Sequence, residues 1–590
     1  MRGDERKRRL WILLSLYAIC VILLLFKTFV FCDVFSAPML FRTEGALHYH
    51  FTGQIVETGF VPVIDLQAQY PEGMAVYRET PLLMEYVAGY LYRSLSGLPI
   101  GLQGFLVLFK ILIASLGAVG VFLVARQLSG SENGAIAASL LYSTSMAFYR
   151  TVLPTDAYQL ENFALPLIFF GIYFLLKAMH DHRRGDALLA GSFMFLALAS
   201  WQITQFFLLL VAGFFVIRLV LERRIDHRLY TAFGWFMLIP LIGGLLLPSL
   251  KDFALSPLLI VTFAVVVVNF ATRRRRMSYL QRAAALILII GFLLTVSFFL
   301  SSGDYTHVSS LLAEKALRFG QKPVDPADLP YEVRVYWTSI YQSPSLQTIA
   351  KHFGFIAVAI AAGFMMLLRK AFSSRSDIQL LLYLAVAFIP LYLLMTRMNH
   401  FLAFFLAPIV AFVFMPRLRK ERWWRIAVIA AVVAIVSQAV FYLWLPANGS
   451  CLPYEYRYGR SILTHTESDA VILTDFYFSP SLLAYYNRSV PIHSIFESAE
   501  LRDKIKDFHF ALSDDEETFH AYCIKHGVDY FLYDRDFYQR LDPSSLRYLT
   551  DSLEPLPANA ALVRFESLMD KSVYFELVDH TGQFALFAVR

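Results

Sequence analysis

The sequence predicts a mostly α-helical polytopic membrane protein that ends in a small α/β domain. Hydrophobic residues make up 57% of the 590 residues, charged residues only 17%, and the mean hydropathy is +0.54. Soluble proteins carry more charge, and here the apolar residues fall into runs long enough to cross a bilayer. The net charge of +6 does not indicate nucleic-acid binding, because the basic residues stand in short runs between the apolar ones.

The first apolar run begins at Trp11 and follows the basic segment MRGDERKRRL. It is about 20 residues long, which is the length of a membrane span and more than the hydrophobic region of a signal peptide needs. We therefore expect a first transmembrane helix whose basic end lies in the cytoplasm.

Further apolar runs bring the predicted number of membrane spans to about thirteen. They cover residues 101–126, 133–149, 158–178, 187–201, 203–221, 230–249, 254–271, 281–300, 352–369, 378–396, 401–416 and 425–445. With this count, every basic cluster from Arg6 to Arg425 lies on the same side as the N-terminus, as expected for cytoplasmic loops. The N-terminus is therefore predicted to be cytoplasmic and the C-terminal part to lie outside the cytoplasm.

The segment Pro81–Pro99 is predicted to lie along the outer surface instead of crossing, because it contains Glu85 and Arg93 and is bounded by prolines. Counting it as a span would move several basic clusters to the outside. Residues 1–445 then form a transmembrane domain with outer loops at 32–100, 150–162 and 301–351. The last of these loops is far longer than an ordinary connection.

Residues 446–590 are predicted to form an extracytoplasmic α/β domain. Strand patterns occur at 470–478 and 528–534, helical patterns at 498–508 and 517–527, and residues 573–589 resemble a hairpin with DHTG at its turn. Cys451 and Cys523 either form a disulfide outside the cytoplasm or remain two thiols.

The most polar part of the first outer loop is Phe41–Tyr70, which contains Glu44, His48 and His50. Glu44 is either a solvated charge or part of a site. The two histidines would point apart on a helix, so surface packing is expected for them and a histidine metal pair is not.

This layout resembles the GT-C membrane glycosyltransferases, and most closely the catalytic subunit family of the oligosaccharyltransferases. The first outer loop of that family reads DPWFNYR, and EGALHYH at residues 44–50 lies in the same register, followed by ETGF at 57–60 and YPEG at 70–73. The resemblance implies that Glu44 takes the place of the family's catalytic, metal-binding aspartate.

The second acidic motif of the family is similar to YDNE, and residues 158–161 read YQLE. The resemblance implies that Glu161 is its second acid, although an acid here also stabilises a helix N-terminus. The first acid is replaced by Gln159 if the motif is counted back from the end of the following span. It is supplied by Asp156 if the motif is counted forward from the preceding arginine, and the spacing leaves both open.

The resemblance thus implies Glu44, Asp156 and Glu161 as catalytic acids and as ligands of a divalent cation. Oxygen ligands suit Mg²⁺ or Mn²⁺, and such an ion stabilises a departing phosphate. A metal-independent reaction with Glu44 as general base is the alternative.

Three further family motifs have counterparts here. Gln342 stands where the family's third outer loop has an acid, and Arg397 or His400 matches a basic residue that could bind the donor phosphate. The WWDYG motif, which reads the N-glycosylation sequon, is replaced by DFYFS at residues 475–479. Asp475 and Tyr477 would face the acceptor, but both tryptophans are missing and Tyr477 replaces the aspartate.

The resemblance therefore implies a glycosyltransferase that moves a sugar or glycan from a polyprenyl phosphate or diphosphate donor to an acceptor on the outer membrane face. The missing motif argues against ordinary sequon N-glycosylation, and a protein residue, a lipid or a surface polymer remain as acceptors. The alternative is a non-catalytic relative that binds lipid-linked glycan or scaffolds a membrane complex. The single-chain layout favours a bacterial plasma membrane.

Overall fold

The computed structural model describes most of the chain. The described residues are 3–31, 34, 35, 37–95, 97, 99–148, 158–250, 253–300, 306–337, 341–354, 357, 360, 361, 363, 364, 375–415, 424–444, 454–542, 545–567 and 572–590. Asp156 and Cys451 therefore lie outside the described residues, and the predictions that involve them stay predictions.

Helices dominate residues 1–445. In chain order they are α1 (Gly3–Phe31), α2 (Thr43–Thr58), α3 (Val76–Glu79), α4 (Leu83–Ser94), α5 (Leu102–Ser129), α6 (Glu132–Ser143), α7 (Leu160–Asp181), α8 (Arg184–Leu198), α9 (Thr204–Leu221), α10 (His227–Leu246), α11 (Pro257–Arg274), α12 (Tyr279–Leu300), α13 (Thr306–Leu317), α14 (Tyr331–Tyr336), α15 (Leu346–Phe353), α16 (Ser376–Leu394), α17 (Asn399–Val410) and α18 (Trp424–Trp444). Short 3₁₀ turns flank α17 at Thr396–Met398 and Ala411–Phe414.

Ten helices among the described residues are long and apolar enough to cross a membrane. The predicted spans at 133–149 and 187–201 correspond to α6 and α8, which are 12 and 15 residues long and fall outside that group. The predicted span at 352–369 lies partly outside the described residues. The polytopic helical class is confirmed, while the count of about thirteen stays a prediction.

The proline-bounded segment forms α4, a 12-residue helix that is not among the candidate spans. One face of α4 is buried, and its residues Glu85, Ala88 and Gly89 lie on that face. This face packs against α2, and a Cβ atom on Gly89 would lie only 2.7 Å from Ile55 Cγ2. The two helices are therefore in direct backbone-to-side-chain contact, which determines where Glu85 lies.

The C-terminal part contains a four-stranded sheet with helices packed on it, as the sequence predicts. Its elements are α19 (Gly459–His465), β1 (Ile472–Leu473), α20 (Ser479–Tyr486), α21 (Ala499–Ser513), α22 (Glu516–Lys525), β2 (Tyr530–Asp534), α23 (Arg535–Tyr538), α24 (Leu546–Leu549), α25 (Ala561–Glu566), β3 (Phe575–His580) and β4 (Phe584–Val589).

The strand order is β1-β2-β4-β3, and β1 is parallel to β2 whereas the other two pairings are antiparallel. The predicted hairpin is β3–β4, joined at Thr581–Gln583. Phe508 of α21, Phe519 of α22 and Phe531 of β2 share one apolar core with Phe565. Cys523 is buried, without a disulfide partner among the described residues.

The C-terminal part packs directly on the first loop, residues 32–100. Backbone hydrogen bonds join Tyr70 N to Val490 O at 3.0 Å and Val490 N to Gln67 O at 2.8 Å. The buried Lys504 ammonium donates to the carbonyl of Tyr70 and to Glu72, both at 2.6 Å. These contacts hold the first loop between the membrane helices and the sheet.

Candidate active site

A cavity of about 320 Å³ lies where the first loop, the helices α9, α13 and α16 and the C-terminal part meet. One end is polar and is lined by Glu44, Arg397 and Tyr341. An apolar wall adjoins it and includes Phe206 and Leu210 of α9, Leu311 of α13 and Leu391 of α16. Glu79, Gln202, Gln205 and Glu497 also line the cavity. A polar end joined to a long apolar wall fits an amphipathic ligand.

Glu44 and Glu161 each lie in the first turn of a helix, α2 and α7 respectively. A carboxylate is stabilised there by the unpaired N–H groups and the helix dipole. The N-terminus of α2 lies close to that of α7 because Gly45 of α2 contacts Tyr158, two residues before α7 begins. A Cβ atom at Gly45 would be 3.4 Å from the Tyr158 carbonyl oxygen. The fold therefore brings the two predicted acids to the same place.

Arg397 lies between these acids. Its Nε donates to Glu161 Oε1 at 2.6 Å, and a terminal nitrogen lies 3.8 Å from Glu44 Oε2. Another terminal nitrogen donates to the Tyr341 hydroxyl at 3.3 Å. The guanidinium carbon lies 5.9 Å from the ring centre of Trp201 and 5.7 Å from that of Tyr341. Only 8% of Arg397 is exposed, so these partners replace its hydration.

His48 lies on the other side of Glu44, one helical turn further along α2. Its Nε2 is 3.7 Å from Glu44 Oε1, and its Nδ1 is 2.5 Å from Oε1 of Glu85 on α4. The side chains of His48 and Glu85 are completely buried, whereas Glu44 is 22% exposed. From α4 to α7, charged groups of alternating sign thus follow one another in the order Glu85, His48, Glu44, Arg397, Glu161, which we call the charge chain.

The charges within the charge chain set the protonation states of His48 and Glu44. Burial lowers the pKa of His48, but the charge of Glu85 and the contacts with Glu44 raise it to about 10. Burial raises the pKa of Glu44, but its neighbours His48 and Arg397 lower it to about 2. At neutral pH, His48 is therefore a cation and Glu44 a carboxylate.

The expected surface packing of His48 and His50 is wrong, because both faces of α2 are covered. The C-terminal part contacts α2 through α20, and α4 covers it on the side of His48. His50 Nε2 lies 2.8 Å from Asp65 Oδ2, and both side chains are at least 90% buried. Glu85, which the sequence placed on an outer-surface helix, is the buried partner that no motif indicated.

The outer loop predicted at residues 301–351 contributes Tyr341 to the cavity. The side chain of the predicted residue Gln342 is exposed, while its carbonyl oxygen accepts hydrogen bonds from Thr396 N at 2.8 Å and Thr396 Oγ1 at 2.7 Å. The buried ammonium of Lys315 donates to the Tyr341 carbonyl at 2.5 Å and to the Leu394 carbonyl at 2.9 Å. These bonds connect the loop to the turn that bears Arg397.

The second predicted phosphate ligand, His400, lies deeper in the helix bundle. It is 8% exposed and its Nδ1 is 3.1 Å from the Ala147 carbonyl oxygen. It borders a separate small cavity that also contacts Glu161. Gln159 is the residue before α7, and it does not line the main cavity.

Asp475 and Tyr477 do not line the cavity; Asp475 is buried in the C-terminal part, and Tyr477 is half-buried there. Asp475 is 2% exposed, and its Oδ2 is 3.5 Å from Nε2 of His509, whose Nδ1 is 2.8 Å from the Tyr331 hydroxyl. The Tyr477 ring packs on Phe476 at 4.3 Å between ring centres. The residues of this part that do line the cavity are Ser494–Glu497.

The described residues do not fit a resident divalent cation. They contain no group of three histidine, cysteine, aspartate or glutamate side chains that could hold a metal ion. Glu44 and Glu161 converge instead on the Arg397 guanidinium, which already supplies the positive charge between them. No catalytic step is therefore assigned to a metal.

Comparison with known proteins identifies the family to which the chain belongs. The family model "Oligosaccharyl transferase STT3, N-terminal" matches residues 12–447. No curated protein matches the chain by sequence.

The fold is similar to that of solved Archaeoglobus fulgidus oligosaccharyltransferases. One structure, tethered with an acceptor peptide containing the NVT sequon, has a TM-score of 0.65 at 15% identity, over 89% of this chain and 69% of the other. A second, of AglB with an inhibitory peptide and a dolichol-phosphate, has a TM-score of 0.65 at 14% identity, over 100% and 75%. A third, with Zn and sulfate, has a TM-score of 0.60 at 13% identity, over 89% and 68%.

The family match covers most of the chain, including the polar end of the cavity. The chain therefore belongs to the STT3 oligosaccharyl transferase family and is a multi-pass membrane glycosyltransferase of the GT-C type.

Proposed function

We propose that the chain transfers a sugar or glycan from a polyprenyl phosphate or diphosphate donor to an acceptor at the polar end of the cavity. The observation that carries this proposal is the continuity of the cavity, in which Glu44 and Arg397 stand next to a long apolar wall. A lipid-linked donor has the same two parts, a charged phosphate and an isoprenoid tail.

Arg397 is the proposed phosphate ligand. Its planar guanidinium can bind two phosphate oxygens at once, and it is held between Trp201 and Tyr341 in a fixed orientation. The tail would lie along α9, α13 and α16, where the cavity wall includes Leu210, Leu311 and Leu391. The AglB structure with a dolichol-phosphate supports a ligand of this chemistry in a similar fold.

Glu44 is the proposed general base for the acceptor nucleophile. The pKa of Glu44 is about 2, with His48 and Arg397 opposing the effect of burial. Such a carboxylate is ionised but weakly basic. A donor phosphate would draw the positive charge of Arg397 away from Glu44 and add a negative charge nearby. Both effects raise the pKa of Glu44, so the base becomes stronger when the donor is bound.

The acceptor is proposed to differ from the ordinary sequon. Asp475 and Tyr477, at the position of WWDYG, do not line the cavity, and the C-terminal residues that line it are Ser494–Glu497. A protein residue, a lipid and a surface polymer are the three candidate classes of acceptor.

The cavity is proposed to lie on the extracytoplasmic face of a bacterial plasma membrane, and the N-terminus in the cytoplasm. The orientation follows from the basic clusters, which lie on the same side as the N-terminus when thirteen spans are counted.

A Mg²⁺ or Mn²⁺ site is proposed only with Asp156 as a third carboxylate beside Glu44 and Glu161. Titration of the metal-free protein with Mn²⁺, read by electron paramagnetic resonance, tests this without an activity assay. Stoichiometric binding that is lost in Asp156→Asn supports the three-carboxylate site, and the absence of binding to the wild type contradicts it.

The proposed transfer is tested on the full chain in proteoliposomes with lipid-linked sugar carrying a radioactive label and membrane extract as acceptor source. We expect label to move from the lipid fraction, and Glu44→Gln to slow this by about 100-fold or more, because the base is lost. Glu57→Gln, an exposed acid on the same helix, is the matched control and should keep the rate. An unchanged rate in Glu44→Gln contradicts the proposal, and retained donor binding without any transfer by the wild type favours the non-catalytic alternative.

A further inference from the structure

The buried half of the charge chain has a feature that packing alone does not explain. His48 of α2 and Glu85 of α4 form an ion pair with no exposed surface, at 2.5 Å between Nδ1 and Oε1. Removing two charges from water is unfavourable, and apolar side chains of similar size usually stabilise such a place at least as well. A pair of this kind therefore calls for a role beyond holding the two helices together.

The position of Glu44 suggests that role. His48 and Glu44 are one helical turn apart, and Nε2 of His48 is 3.7 Å from Oε1 of Glu44. Of the side chains of Glu85, His48 and Glu44, only that of Glu44 lines the cavity. The buried pair thus reaches the cavity through this carboxylate.

A different cation lies near each of the two oxygens of Glu44. Oε1 faces His48, and Oε2 lies 3.8 Å from a terminal nitrogen of Arg397. If Arg397 binds a donor phosphate, the positive charge near Oε2 is shared with the phosphate, while Oε1 keeps the histidine. His48 is in turn held by Glu85, so the carboxylate does not have to reorient when the donor binds.

We propose that His48, held by Glu85, is the positioning residue that keeps Glu44 oriented so that Oε2 is presented to the acceptor while Arg397 binds the donor phosphate. This inference rests on the proposed function. It assigns His48 and Glu85 to the transfer step and not to donor binding.

The test compares the steady-state kinetics of His48→Gln with those of the wild type, using the full chain in proteoliposomes and lipid-linked sugar. We expect kcat to fall by about tenfold or more, whereas KM for the donor stays within about threefold, because orientation of the base matters in the transition state. His50→Gln is the matched control. It breaks another buried histidine–carboxylate pair of α2, with Asp65, that does not contact Glu44.

A double variant separates positioning from a general effect on folding. If His48 acts through Glu44, the double variant Glu44→Gln/His48→Gln should be no slower than Glu44→Gln alone. A purely structural role of His48 would slow the double variant further and would raise KM as well.

His48→Gln leaves the Glu85 charge buried without its partner, which can prevent folding. In that case the double variant His48→Gln/Glu85→Gln is measured, since it removes both charges, and the same loss of kcat is expected. If the wild type transfers sugar and these variants keep kcat within about twofold, the positioning role is wrong and the proposed function stands. If the wild type transfers nothing, the proposed function fails, and the positioning role fails with it.

Discussion

Arg397 contacts both predicted acids, and its side-chain geometry matters as much as its charge. A lysine could keep the charge but has a single donor nitrogen on a flexible stem. It could not reach Glu161, Glu44 and Tyr341 together as the guanidinium does. The shape of the guanidinium and its charge can therefore be tested separately.

We expect Arg397→Lys to weaken the binding of polyprenyl phosphate by about tenfold or more, because bidentate contact with phosphate is lost. Binding of a fluorescent polyprenyl phosphate to the purified protein measures this. Arg93→Lys is the control, since Arg93 of α4 donates to the Ile55 carbonyl and does not line the cavity. Equal affinity in Arg397→Lys and the wild type would contradict the proposed role of Arg397.

Lys315 predicts a pH dependence of stability. Burial, together with the neighbouring charge of Lys322, lowers the pKa of Lys315 from 10.5 to about 7. Above pH 7 the unfolded chain therefore binds more protons than the folded chain, and the free energy of unfolding should rise with pH. The midpoint of thermal unfolding in detergent should increase from about pH 7 towards pH 10, between the lowered pKa of the folded chain and the ordinary pKa of 10.5. In Lys315→Met the increase should be smaller, and an identical increase would contradict the explanation.

At the scale of elements, the packing of α4 on α2 determines the site. Glu85 reaches His48 because Gly89 allows α4 to approach Ile55 of α2. A longer separation would leave the Glu85 carboxylate buried without its cation. The helix pair is therefore as important for the site as the residues that it carries.

We expect Gly89→Ala to lower both stability and transfer, since its Cβ atom would lie 2.7 Å from Ile55 Cγ2. Gly53→Ala on α2 is the matched control because nothing lies within 4 Å of its Cβ position. That substitution should leave transfer unchanged and raise stability by up to about 1 kcal/mol through helix propensity. Thermal unfolding and the transfer rate measure the two effects, and equal behaviour of the two variants would show that the close approach is unimportant.

Local patterns predicted the elements well and the site only in part. The apolar runs and the strand alternation are properties of neighbouring residues, so α5, α7 and the β3–β4 hairpin follow from them directly. Glu44 and Arg397 could be found because they stand in motifs. Glu85, His48 and Tyr341 could not be found in this way, because their roles arise from contacts between helices that are distant in sequence. The predicted domain boundary at 445/446 stays a prediction.

At the scale of the whole molecule, the C-terminal part holds the first loop against the membrane helices. Lys504 of α21 is the central contact, with hydrogen bonds to Tyr70 and Glu72 of the loop. The loop carries α2, and α2 carries Glu44. The position of the proposed base Glu44 therefore depends on the C-terminal part, which supplies neither Glu44 nor Glu161.

We expect Lys504→Met to loosen residues 61–80 while leaving the membrane helices intact, because it removes both hydrogen bonds at once. Hydrogen exchange should become faster in that segment, and transfer should fall together with it. Lys525→Met, an exposed lysine on α22, provides the comparison and should change neither quantity. Unaltered exchange in Lys504→Met would mean that the backbone pairing with Val490 is sufficient.

If the proposed lipid-linked donor binds along the apolar wall of the cavity, the rate of transfer depends on the donor concentration within the membrane. A donor whose tail lies along α9 and α16 arrives by lateral diffusion within the bilayer, without passing through water. The quantity that sets the degree of saturation is then the number of donor molecules per unit of membrane area. Adding carrier lipid at a fixed total amount of donor should lower the rate, whereas changing the aqueous volume should leave it the same.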